Sequence, residues 1–177
     1  MTNYIALIRG INVGGHKKFP KADQLKMIQA LKFDNPQLYI HTGNWMFQSS
    51  LKGDKVADLI QQKITKDMGW EVPVIVLSAT EMETILAKCP FSEEKKQESY
   101  FVIIEAMPLP EKLALLDDVS VPNEEFVVGD RCIYFYPALG AGKAKLSNNF
   151  FEKKLKVNAT TRNFRTMAKL TAMATSL

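Results

Sequence analysis

Compact apolar runs along this chain alternate with stretches in which apolar residues return every three to four positions, the pattern of strands interleaved with helices. Residues 4–8 form one such run, closed by Arg9-Gly10, and predict a strand. After a glycine-rich stretch at 10–15, Leu25, Ile28 and Leu31 recur at helical spacing from Ala22 onward. Two further strands are expected at 38–40 and 45–47, joined by the tight-turn signal Thr42-Gly43-Asn44. Asp54 opens a helix bearing Val56, Leu59, Ile60 and Ile64, which stops at Gly69 as a C-terminal glycine should. A strand at 72–77 completes the order βαββαβ, the ferredoxin-like motif.

In the second half, Ser78 and Glu81 have capping-box spacing, so a helix with Met82, Ile85 and Leu86 follows and ends at Cys89-Pro90. Residues 100–104 read as a strand. Pro110 suits the first position of a short helix with Leu113 and Leu116. Strands at 126–128 and 132–136 pair about Gly129-Asp130, and 138–145 is a flexible basic loop. Ser147 caps a helix with Phe150, Phe151 and Leu155, and a last helix from about Thr161 carries Phe164, Met167 and Ala168. The expected fold is α+β in two packed subdomains. Residues 1–80 are ferredoxin-like (βαββαβ). Residues 81–177 form a related α-βαββα-α arrangement without the final strand. No Pro- or Ser-rich linker separates them, so a shared interface is expected.

Composition adds exclusions. The chain has 177 residues, 46% hydrophobic and 24% charged, an ordinary globular balance. A chain of this length buries roughly 70% of its unfolded surface, so folding requires neither metal nor disulfide. Cys89 and Cys132 stand in no CxxC or CxxH pattern; no metal site is expected, and both read as small buried apolar residues. The N-terminus has no basic n-region, and its apolar stretch is too short for a signal peptide or a span, so a cytoplasmic chain without a membrane partner is expected.

Charge is unevenly spread. The net value is +4, but residues 143–169 hold eight bases against Glu152 alone, whereas 81–130 hold twelve acids against four bases. Such polarity suits one face to anions. Gly10 and Gly15 have P-loop spacing, but His16-Lys17 follow in place of Lys-Ser/Thr, which excludes a magnesium-holding P-loop. Main-chain N–H groups near a helix start, beside Lys17 and Lys18, could still hold an anion. In a βαββαβ sheet the first two strands end at one edge, which should gather Arg9, Asn12, His41, Thr42 and Asn44. No GxGxxG follows a strand, so no cofactor is expected. Trp45 and Phe47 share a strand face as base-stacking residues would, although without an RNP1 pattern they read as core. Arg162, Arg165 and Lys169 form a basic stripe at helical spacing.

Several segments resemble the domain-of-unknown-function 1697 family. These are YIALIRGINVGG (4–15), TGN (42–44), CPF (89–91), KLSNNFFEKKL (145–155) and TTRNF with the later KL (160–164, 169–170). The resemblance spans nearly the whole chain and implies a bacterial protein of two α+β subdomains, the first ferredoxin-like, with no established activity and no catalytic residues to carry over. Phe164 departs from the family pattern, which more often has Trp there.

The function expected from the residues is binding of a small anionic or nucleotide-like ligand. The basic, glycine-rich pocket would be formed by Arg9, Asn12, Gly14, Gly15, Asn44, Lys145, Arg162 and Asn163, with arginine gripping the anion and asparagine orienting it. The alternatives are nucleic-acid binding through the basic C-terminal segment, and a hydrolase or transferase using the same pocket with His41 as acid or base.

Overall fold

The N-terminal apolar run is strand β1 (Thr2–Ile8), followed by α1 (Lys21–Ala30), β2 (Asp34–Leu38), β3 (Asn44–Ser49), α2 (Gly53–Met68) and β4 (Val74–Ser78). This computed structural model describes residues 1–177. The expected βαββαβ order is present, and its antiparallel sheet runs β2-β3-β1-β4. Alternate residues of β1 (Tyr4, Ala6, Ile8) join Trp45 and Phe47 of β3 in a core closed by Ile28 of α1 and by Val56, Ile60 and Ile64 of α2. The i, i+4 spacing of those three residues makes one stripe; Leu59, expected with them, falls off it and is exposed. Gly69 ends α2 in the left-handed conformation (φ 68°).

Two departures in this unit have local causes. The inner face of α1 is Gln24, Met27 and Ile28, so Leu25 lies outside and a glutamine takes a core position. Strand β2 lies earlier than the expected 38–40. It carries Pro36 and a bulge between Asp34 and Gln37, which an edge strand tolerates because a proline there removes no needed ladder bond. Ile40, at φ 51°, turns the chain out of the strand.

The capping box at Ser78 opens α3 (Ala79–Ala87): Ser78 N donates to Glu81 Oε2 at 2.7 Å, and Glu81 N donates to Ser78 Oγ at 3.1 Å. Then come α4 (Glu93–Glu98), β5 (Tyr100–Ile104), α5 (Pro110–Leu113), β6 (Glu124–Val128), β7 (Cys132–Pro137), α6 (Asn148–Leu155), β8 (Ala159–Asn163) and α7 (Phe164–Thr175). The second antiparallel sheet runs β6-β7-β5-β8. The order β5-α5-β6-β7-α6-β8 therefore repeats the first sheet's topology position for position. The final strand expected to be missing is β8, which pairs with β5 from Ile104↔Ala159 to Tyr100↔Asn163. It gave no apolar-run signal because only Ala159 is apolar; its two β-branched threonines supply the strand preference. Helix α4 was also unforeseen. It buries no residue and is held by Lys95, which pairs with Glu125 at 2.6 Å and lies over the Tyr136 ring.

The second core is Val102, Ile104, Ile133 and Phe135 of the sheet against Phe151 and Leu155 of α6. Cys132 is buried as expected, but Cys89 is only partly so. The chain divides into two compact units, Met1–Thr84 with Lys169–Leu177, and Ile85–Ala168. Residues 169–177, expected with the second half, thus belong to the first unit, where Asn3 Nδ2 donates to Ala174 O at 2.8 Å and Thr175 Oγ1 to Glu83 at 2.8 Å. No helix is long and apolar enough to cross a membrane.

Candidate functional site

In the first unit, the edge at which β1 and β2 end does gather the residues expected there. Asn12, held at φ 54°, donates through Nδ2 to the carbonyls of Phe19 (2.9 Å) and His41 (2.6 Å), while its Oδ1 accepts from Phe19 N at 2.8 Å. Buried Gln24 donates to the same two carbonyls, at 2.8 and 2.9 Å, and its Oε1 accepts the Trp45 indole N–H at 2.8 Å. Two side-chain amides thus clip the 9–20 loop to the 39–44 turn. Asn44, fully buried, donates to Tyr39 O at 3.2 Å and to Thr42 Oγ1 at 3.0 Å. These bonds organise main chain, which is what Asn does in turns. His41 contributes its carbonyl to the network.

The glycine stretch is a small hairpin. Val13 bridges His16, Asn12 N donates to Lys17 O at 3.1 Å, and His16 N donates to Val13 O at 3.0 Å. Gly14 and Gly15, at φ 59° and 79°, occupy the two positive-φ positions that a tight hairpin turn requires. Arg9 follows β1, with its main-chain N–H on Pro73 O at 3.0 Å. Lys17 reaches Glu71 O at 3.1 Å.

Arg162, Asn163 and Lys145 belong to the second unit. Arg162 lies in β8, not on the last helix, because pairing with β5 holds residues 159–163 extended; the expected stripe through Arg165 and Lys169 is therefore broken. Its guanidinium donates to Thr160 Oγ1 at 2.8 Å and Thr161 O at 2.9 Å, and burial draws its pKa down to about 10, still charged at neutral pH. Asn163 caps α7, its Oδ1 accepting from Thr166 N at 2.9 Å. Asn163→Ala should cost about 1 kcal/mol in urea unfolding; no loss would mean the cap contributes nothing. Trp45 and Phe47 are both fully buried, so neither offers a face for base stacking. Burial also pushes the Cys132 thiol up, which favours the unreactive neutral form.

Lys145 lines a cleft of about 240 Å³ in the second unit, with Lys143, Leu139, Glu124, Pro122 and Pro137 among its walls. Glu124, first residue of β6, turns its carboxylate onto two main-chain N–H groups, Lys145 (2.7 Å) and Leu146 (2.8 Å), which anchors the end of the 138–145 loop. That leaves two lysines facing an apolar wall of which Leu139 is 61% exposed. Lys143 was visible in the sequence only as part of the basic loop; its spacing two residues from Lys145 was the available signal.

Similarity to known proteins agrees with this architecture. A family model described as "Protein of unknown function (DUF1697)" matches residues 1–134. Comparison with curated proteins gives no match. Among solved structures, the conserved bacterial protein SP0830 from Streptococcus pneumoniae superposes with a TM-score of 0.76 at 23% identity, over 98% of each chain. At that identity the likeness speaks for the fold alone.

Proposed function

This chain belongs to the DUF1697 family, proteins of unknown function, and on that premise we propose, from its own residues, that it binds a small organic anion in the cleft lined by Lys143 and Lys145. The observation that carries this reading is the pair of lysines beside an exposed apolar wall, with the one carboxylate of the lining committed to main-chain N–H groups. Of the eight residues expected to form a pocket, Lys145 is the one retained in this reading. Asn12, Asn44, Arg162 and Asn163 have structural partners, and Gly14-Gly15 form a hairpin tip.

Magnitudes constrain the ligand. An exposed charge pair contributes about 0–1 kcal/mol, whereas even millimolar binding needs about 4 kcal/mol. Two exposed lysines cannot supply that alone. The ligand must also cover apolar surface on Leu139, Pro122 and Pro137, so a carboxylate or phosphate monoester with an apolar body fits better than an inorganic ion. Calorimetry at low salt with small branched and aromatic carboxylates and phosphate monoesters tests this. At least one should bind, weaken on raising salt because exposed charges are screened, and weaken at least tenfold in the Lys143→Ala/Lys145→Ala double variant. Absence of binding across the series, or binding indifferent to the double substitution, sinks the reading.

A further inference from the structure

The cleft opens beside a strand edge equipped to add another strand. β6 is the outer strand of its sheet. The ladder between β6 and β7 is bracketed by Gly129 N on Cys132 O at 2.8 Å and Ala138 N on Asn123 O at 2.8 Å. With the register Glu124↔Pro137 to Val128↔Ile133, the antiparallel alternation puts bonded rungs at Glu125 and Val127 and non-bonded rungs at Glu124, Phe126 and Val128. Pro137, which has no N–H, sits opposite Glu124 at a rung that needs none. The main-chain N–H and C=O groups of Phe126 and Val128 therefore point away from β7, along the open edge.

Exposed edges are ordinarily blunted by proline, bulges or charge. Edge strand β2 of the first sheet has Pro36 and a bulge. β6 has neither, and its two acids are engaged, Glu124 by main-chain N–H groups and Glu125 by Lys95. Val127 on the strand is 42% exposed. At the Glu124 end of this edge stand Lys143 and Lys145.

We propose that the anion held in the cleft is an acidic side chain of an extended peptide, which adds to the second sheet as a strand along β6. This rests on the anion reading and supplies what two lysines lack: main-chain hydrogen bonds give affinity, and the lysine pair selects an acidic residue at one end. An acidic peptide is favoured because the unengaged charge at this end of the edge is positive.

The probe is the hexapeptide acetyl-EEVTVT-amide, compared with N-acetylglutamate, with its Lys-for-Glu counterpart, and with a version N-methylated at every main-chain amide, so that neither alternate set of N–H groups can bond the edge. The acidic peptide is expected to bind the full chain at least tenfold more tightly than N-acetylglutamate. The lysine peptide and the N-methylated peptide should each lose at least tenfold. Amide exchange should slow at Phe126 and Val128 on binding and stay unchanged at Val127, whose N–H already serves β7. If small anions bind but the peptide is no tighter, or N-methylation is harmless, or those two amides gain no protection, strand addition is overturned and the anion reading stands. Protection that ignores the Lys143→Ala/Lys145→Ala substitution overturns the lysine anchor and the anion reading with it.

Discussion

Gly43→Ala is expected to destabilise the first unit by about 3 kcal/mol, the sum of two terms. Gly43 sits at φ 77°, where a residue with a Cβ costs about 1–2 kcal/mol. A methyl there would also lie 2.9 Å from both Cβ and the carbonyl oxygen of Ile8, and 3.0 Å from Ile11 Cδ1. Ile8 cannot retreat, because its N–H donates to Gly43 O at 2.8 Å and its side chain is core. Overpacking of this kind costs about 1–3 kcal/mol. Gly69→Ala is the matched control: its φ is 68° but nothing lies within 4 Å of the added methyl, so it should lose only the backbone part. Urea unfolding followed by tryptophan fluorescence reports on this unit, since Trp45 and Trp70 both belong to it. Equal losses for the two variants would remove the steric argument.

Gln24→Leu should cost about 2–3 kcal/mol despite its similar size and greater hydrophobicity, because burying an unpaired donor costs about 1–3 kcal/mol and the loop clip weakens as well. The carbonyls of Phe19 and His41 keep Asn12 as a partner, so the orphan is the indole N–H of Trp45. This predicts a rescue: adding Trp45→Phe to Gln24→Leu removes the orphan, and the double variant should be at least about 1 kcal/mol more stable than the sum of the single changes. Strict additivity would show that the bond between Gln24 and Trp45 carries no coupling. Gln24→Leu should leave ligand and peptide binding at the second-unit cleft unchanged, which separates its structural role from recognition.

The family motifs look different in this light. GINVGG and TGN meet at one sheet edge, as expected from topology, and the donors there hold each other's main chain. Asn12 and Asn44 were legible as turn residues or ligand donors; both have the same chemistry in sequence. The choice depends on whether an acceptor lies within 3 Å, and for Asn12 those acceptors are up to 29 residues away. Gln24 was not legible at all, because a lone glutamine next to Leu25 gives no periodic signal, and its burial follows from the indole that it satisfies. Asn163 could have been read as a cap, since Asn is among the preferred residues just before a helix; the expected helix start near Thr161 hid it.

What the sequence determined by itself was local. Apolar runs and 3.6-residue stripes placed β1, β3, β4, β5, β7, α2 and α6, the Ser78–Glu81 box opened α3, and Gly69 ended α2, because burial periodicity and capping are set within a few residues. The tertiary structure alone decided the rest. Strand β8 exists because β5 offers it a free ladder, not because ATTRN is apolar. The last helix returns its end to the first unit, where the Ala174 carbonyl accepts from Asn3 Nδ2 and Thr175 Oγ1 donates to Glu83. Lys143 and Lys145 share a cleft because Glu124, 21 and 22 residues earlier, grips the main chain of residues 145 and 146. In each case the deciding contact spans residues far apart in sequence, and a hydrogen-bond acceptor or a strand edge leaves no periodic trace in the partner that finds it.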